Sequence, residues 1–143
     1  MHIHDILTAK ASPEVVTVAP DAPVRDLVAL LAEHNIGALI VSADGSAVDG
    51  IVSERDVVRR LGTDTAVLDL AVRDIMTTDV QTCSGDDDLT DLMRTMTELR
   101  VRHLPVVADG RLTGIISIGD VVKHRIGELE FERDQLDHYV HQT

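Results

Sequence analysis

The sequence predicts an α/β fold: two βαββα repeats packed with internal pseudo-twofold symmetry into one module, followed by a C-terminal helix. Three observations carry this expectation. The stretch Gly50-Ile51-Val52-Ser53-Glu54-Arg55-Asp56 recurs sixty-four positions later as Gly114-Ile115-Ile116-Ser117-Ile118-Gly119-Asp120, and both copies run into Val-Val and a basic residue. Upstream segments match as well, Asp5-Ile6-Leu7 with Asp74-Ile75-Met76 and Val15–Val18 with Val80–Cys83. A lone unit of three strands leaves one sheet face open to water, and two packed units cover both.

The elements follow in chain order. Asp5-Ile6-Leu7 reads as a short lead-in turn, and the loop Thr8 to Glu14 separates it from Val15–Val18, a β-branched run bounded by Pro13 and Pro20 that predicts a strand. Asp21-Ala22-Pro23 opens a helix on which Val24, Leu27, Val28 and Leu31 recur at helical spacing. That helix ends near Asn35, and an apolar strand follows over Ile36–Val41. A turn at Asp44-Gly45 returns the chain as a hairpin to Gly50–Ser53, and a short helix runs from Asp56 to Leu61. The second copy repeats the order: a strand at Val80–Cys83, a helix carrying Leu89, Leu92, Met93 and Met96 that ends near Arg100, a strand at Val101–Val107, a turn at Asp109-Gly110, and a last helix from Asp120 to about Ile126. The expected divisions are a first repeat over 1–62, a connector over 63–72, a second repeat over 73–127 and a helical tail over 128–143. On the tail, Leu129 and Leu136 stand one heptad apart on the apolar side, which suits either packing back on the module or meeting a second copy.

Composition excludes several functions. At 143 residues with 44% hydrophobic content the chain can build its core without metals or disulfides. One Phe, one Tyr and no Trp leave no stacking platform for single-stranded nucleic acid. A net charge of −12 repels nucleic acid and anionic membranes. Within that acidic background the bases gather beside the repeat, at Arg55, Arg59 and Arg60, at Arg100, Arg102 and His103, and at Lys123, His124 and Arg125. A single cysteine, Cys83, and the lack of a signal peptide or long apolar run predict a cytoplasmic protein, with Cys83 a small packed side chain.

The repeated corner admits two readings. A strand ending on Ser with Asp three residues on places a hydroxyl and a carboxylate at a strand-to-helix turn. There the helix N-terminus can face phosphate and the ionised Asp can accept from both ribose hydroxyls. The same spacing also makes a capping box, which needs no ligand. Duplication and the flanking bases favour the nucleotide reading.

On these segments, above all Ile36–Val41, Ser53–Asp56, Arg102–Val107 and Gly114–Asp120, the chain resembles a pair of cystathionine β-synthase (CBS) domains over residues 1–127. Its tail with Leu136-Asp137-His138-Tyr139 is similar to that of short bacterial stand-alone members. The resemblance implies a regulatory module that binds AMP, ADP, ATP, NAD(H) or S-adenosylmethionine in clefts between the repeats, requires no cofactor, and pairs into homodimers through module faces and the C-terminal helix. It also implies an unidentified protein target. Carried over by position, Asp56 and Asp120 take ribose hydroxyls, Ser53 and Ser117 approach ribose or phosphate, and Arg102 and His103 supply phosphate charge. Val16, Thr17, Val80, Thr82, Ile115 and Ile116, with Ile51 and Val52, wall the adenine. The copies differ: the first has Gly37-Ala38 where the second has Arg102-His103, and carries Arg55 where the second has Gly119. Two half-sites of unequal phosphate preference are the expectation.

An enzyme is not expected, because no Gly-x-Ser-x-Gly elbow, His-Glu-x-x-His motif, P-loop or Cys pair is present. No catalytic or metal-ligating residue is assigned; His2-x-His4 and His138-x-x-His141 read as solvated termini. The alternative to a sensor is a structural interaction module whose corners persist as helix caps with degenerate, unoccupied sites.

Overall fold

The computed structural model describes residues 1–10 and 15–141; the predicted loop from Thr8 to Glu14 therefore lies partly outside the described residues. The elements are α1 (Ile3–Ala9), β1 (Thr17–Val18), α2 (Val24–His34), β2 (Ala38–Val41), β3 (Gly50–Ser53), α3 (Glu54–Leu61), α4 (Leu89–Leu99), β4 (His103–Ala108), β5 (Arg111–Ser117) and α5 (Ile118–His141). Short 3-10 turns at Thr65–Asp69 and Val72–Asp74 join the repeats.

The predicted hairpins form. β2 pairs antiparallel with β3, and β4 with β5. In the second hairpin Asp109 and Gly110 both hold positive φ, 52° and 77°, the left-handed pair of a type I′ turn. Helices α2 and α4 both end on a left-handed residue, Asn35 at φ 53° and Arg100 at φ 55°. Asn tolerates that conformation, whereas Arg100 holds it at a cost of about 1 kcal/mol.

Two expectations need correction. β1 runs parallel to β2, as predicted, but its counterpart at Val80–Cys83 is not a strand: Cys83 alone bridges Val106. Pro105 stands where the first repeat has Ile40, and a proline has no N–H to extend the ladder. The second correction is at the C-terminus. The last helix of the second repeat does not stop near Ile126 but continues as one 24-residue helix through the tail. Gly127 interrupts no hydrogen-bonded turn there, since a helix tolerates a single glycine at about 1 kcal/mol.

Each repeat has its own core, and each core is completed by the other repeat's lead-in. The first gathers Val24, Leu27, Leu39, Val41 and Val52 with Val67, Val72 and Ile75, which lie beyond the first repeat in sequence. The second gathers Leu89, Leu92, Met96, Leu104 and Ile116 with Ile3 and Ile6 of α1. Main-chain bonds tie α1 in place, from the Ile3 amide to the Asp87 carbonyl at 3.0 Å and from the Leu89 amide to the Met1 carbonyl at 3.0 Å. The first glycine of each repeated stretch serves this exchange. A Cβ on Gly50 would lie 2.7 Å from Met76 Sδ and 2.9 Å from the Thr77 carbonyl, and one on Gly114 would lie 2.9 Å from Leu7 Cδ2.

Candidate functional site

Both corners are built alike by the backbone. At the first, the Ser53 amide donates to Asp56 Oδ2 at 2.8 Å and the Asp56 amide to Ser53 Oγ at 3.3 Å. At the second, the Ser117 amide donates to Asp120 Oδ2 at 2.9 Å and the Asp120 amide to Ser117 Oγ at 3.1 Å. The capping box is thus real in both copies. It uses only Oδ2 of each aspartate, and of the two aspartates Asp120 lines a cleft.

Their surroundings differ. At the first corner the Ser53 hydroxyl turns back on Asp56 Oδ2 at 3.0 Å, so the pair satisfies itself. At the second, Lys10 Nζ reaches Asp120 Oδ2 at 2.9 Å and the Ile115 carbonyl at 2.7 Å. Burial works against the Asp120 charge, but the Ser117 amide and Lys10 outweigh it and hold the carboxyl below the ordinary carboxylate value. Sequence reasoning missed Lys10. It lies outside the repeated corner and comes to Asp120 only because α1 packs on the second repeat.

A cleft of about 380 Å³ opens at the second corner. Ser117, Asp120, Ile115 and His103 line it from the second repeat; Lys10, Val16, Ile36, Gly37 and Ala38 line it from the first, with His34 and Asn35 at the end of α2. His103 is held below its usual value chiefly by burial, with the carboxylates of Asp120 and Glu54 opposing that fall. The cleft therefore offers an ionised acceptor, a lysine, a titratable imidazole and apolar walls within one concavity between the repeats, the form of a small-molecule site.

The other predicted contacts separate. Ile116 is fully buried in the second core, and Val52 in the first. Neither can wall a ligand, because strand alternation turns Ile115 to the cleft and its neighbour inward. Val16 lines the cleft, but Thr17, the next residue on β1, does not. Val80 and Thr82 lie in the segment that forms no strand and also stand outside the lining. Arg102 parts from His103 by the same alternation. It meets Arg55 and Arg100 around a separate recess of about 350 Å³ with Met96, Thr97, Val101 and Ile118. The two arginines expected to serve different corners thus share one place. A third, mostly apolar groove of about 490 Å³ runs between α2 and α3, with Val28, Val58 and Leu61 on its walls. Ser53 and Asp56 line none of these three recesses.

Cys83 is half-buried with its Sγ 3.6 Å from the Pro105 carbonyl, and its thiol is pushed up to about 12 by burial and Asp87, which leaves it unreactive.

This geometry defines a class of protein, a two-repeat ligand-cleft module whose cleft takes residues from both repeats. The CBS domain pattern matches residues 3–63 and 72–127, and the chain belongs to that family as a tandem pair. It is 35% identical over 125 residues to the mitochondrial CBS domain-containing protein CBSX3 of Arabidopsis thaliana, covering 84% of this chain and 61% of that protein. A solved CBS-domain protein from Burkholderia ambifaria MC40-6 superposes with a TM-score of 0.83 at 39% identity, covering 89% of this chain and 95% of that one. The CBS domain pair of protein MJ0100, solved in complex with 5′-methylthioadenosine and S-adenosyl-L-methionine, shares the fold at a TM-score of 0.78 and 24% identity, over 90% of this chain and 98% of that one. No helix among the described residues is long and apolar enough to cross a membrane.

Proposed function

We propose that this CBS pair is a regulatory module that binds an adenosine-containing ligand, AMP, ADP, ATP or NAD(H), in the cleft at Ser117 and Asp120. The observation that carries the reading is Asp120: an ionised carboxylate with one oxygen spare, at the edge of a cleft that also holds Lys10 and His103. Ribose hydroxyls take the carboxylate, as two donors meeting an acceptor-only group. Lys10, released from Asp120, and His103 meet phosphate, while Ile115, Val16, Ile36 and Ala38 enclose the adenine. The shared fold of the MJ0100 pair with its adenosyl ligands is compatible with this assignment, and extends it to S-adenosylmethionine as a candidate.

Occupancy changes how the two repeats pack, because the cleft draws on both, and a ligand shifts such an equilibrium by its differential affinity for the two packings. The output passes to a protein target or through a homodimer that joins module faces; exposed Val28, Ile36, Val58 and Leu61 form such a face on the first repeat. Catalysis is not part of the proposal.

The test is a thermal-shift series with AMP, ADP, ATP, NADH and S-adenosylmethionine, in which a ligand that binds the native state raises the melting temperature, by about 2.7 kcal/mol of added stability at a hundredfold excess over Kd. No shift with any of the five at millimolar concentration overturns the reading and leaves an interaction module with unoccupied corners.

A further inference from the structure

Lys10 stands where a ligand has to bind. Its Nζ donates to Asp120 Oδ2 at 2.9 Å and to the Ile115 carbonyl at 2.7 Å, and the lysine and aspartate side chains are each 24% exposed. Asp120 Oδ2 also accepts the Ser117 amide at 2.9 Å. A carboxylate offers about two acceptor positions on each oxygen, so Oδ2 is full. The Ser117 amide belongs to the cap that starts α5 and cannot leave without opening it. A ribose that donates one hydroxyl to each oxygen of Asp120 therefore has to take the place of Lys10. The lysine cannot retreat with its backbone, because Ile3 and Ile6 of α1 are fully buried in the second core. Only its flexible four-carbon stem swings, and that keeps the ammonium at the cleft.

The displaced ammonium needs an anion, and the 5′ end of the ligand decides whether it finds one. A 5′-phosphate replaces both lost contacts with a charge-assisted pair. A 5′-hydroxyl or thioether leaves a half-buried ammonium with neither its carboxylate nor its carbonyl, which works against binding. The first corner carries no such device. At the offset of sixty-nine that relates Asp5-Ile6 to Asp74-Ile75, the residue matching Lys10 is Asp79. There the Ser53 hydroxyl fills the place on Asp56 Oδ2 that Lys10 fills on Asp120. We propose, on the reading that Asp120 takes the ribose, that Lys10 selects the ligand. It blocks the ribose acceptor in the empty cleft and yields it to a ligand with an anionic 5′ group, so the cleft takes adenosine phosphates and turns away uncharged nucleosides such as adenosine and 5′-methylthioadenosine.

Calorimetry with AMP and adenosine, which differ only in the 5′-phosphate, tests this on the wild-type chain, Lys10→Gln and Lys10→Arg. The wild type is expected to bind AMP about thirtyfold tighter than adenosine, the order of a hydrogen bond between charged groups. Lys10→Gln removes the phosphate's partner and frees the acceptor together, so AMP should weaken about tenfold while adenosine tightens about threefold. Lys10→Arg should keep both the block and the preference. In the wild type itself, tens of millimolar inorganic phosphate at matched ionic strength should tighten adenosine about threefold, because it gives Lys10 another anion. Adenosine that gains neither from Lys10→Gln nor from inorganic phosphate overturns the gate and leaves Lys10 a phosphate contact alone. A wild type that binds AMP and adenosine alike overturns it as well. Failure of AMP, ADP, ATP and NADH all to bind the wild type at millimolar concentration overturns the reading of the cleft itself, and the gate with it.

Discussion

The two corners share a backbone plan and part in what surrounds them. Each closes the same reciprocal cap between Ser and Asp, within a few tenths of an ångström. At the first, the serine hydroxyl completes the carboxylate's bonding from within. At the second, a lysine from the far end of the chain does so, and a cleft opens beside it. A local motif can therefore persist in both copies for its capping role while the neighbourhood decides which copy can hold a ligand. Duplication supplies two frames; side chains sixty or more residues away differentiate them.

The largest expected effect breaks this comparison directly. Asp120→Ala should weaken adenine-nucleotide binding about thirtyfold in calorimetry, the order expected for hydrogen bonds to a charged acceptor. Asp56→Ala loses the same cap bond and should change affinity less than about twofold, so it is the matched control. Equal losses from both would mean that the first corner binds ligand too.

The glycines give a second contrast. Gly50→Ala places its Cβ against a carbonyl oxygen as well as a sulfur and should cost about 2 kcal/mol in urea denaturation. Gly114→Ala meets only the end of the Leu7 side chain, which can rotate away, and should cost about half as much. Reversal of that order would mean that α1 is the more rigid lead-in.

The smallest effect concerns His103, which has Ala38 as its counterpart. Its folded value lies below the ordinary 6.5, so the unfolded chain binds more protons and the folded state loses stability as pH falls below that ordinary value. The ligand-free melting temperature should drop by roughly 3 °C or less from this source between neutral and mildly acidic pH. His103→Gln should remove that component; an unchanged pH profile would show that the imidazole titrates as it does in the unfolded chain.

Most of the architecture was legible in the sequence, because β-branched runs, helical spacing at Val24 to Leu31 and the Asp-Gly turns are local signals, and the repetition tied them together. What escaped was non-local or sub-local. Pro105 silently cancels a strand on its neighbour, which no inspection of Val80–Cys83 itself reveals. Lys10 reaches the site through a packing partner on the other repeat. The parting of Arg102 from His103, and of Ile115 from Ile116, turns on strand alternation. The sequence contained that period, but its register relative to the cleft emerged only when the two repeats came together.

The exchanged lead-ins also set an order in time. As the chain leaves the ribosome at about 5–20 residues per second, the first core can close once Ile75 has emerged, soon after its own hairpin. Helix α1, made before the second repeat, must wait for Leu89 to Val121, on the order of ten seconds during which Ile3 and Ile6 have no core to enter. An early segment of these two repeats is thus sheltered late, and it is also the segment that delivers Lys10 to the cleft. The candidate site is finished only when α1 has met the second repeat.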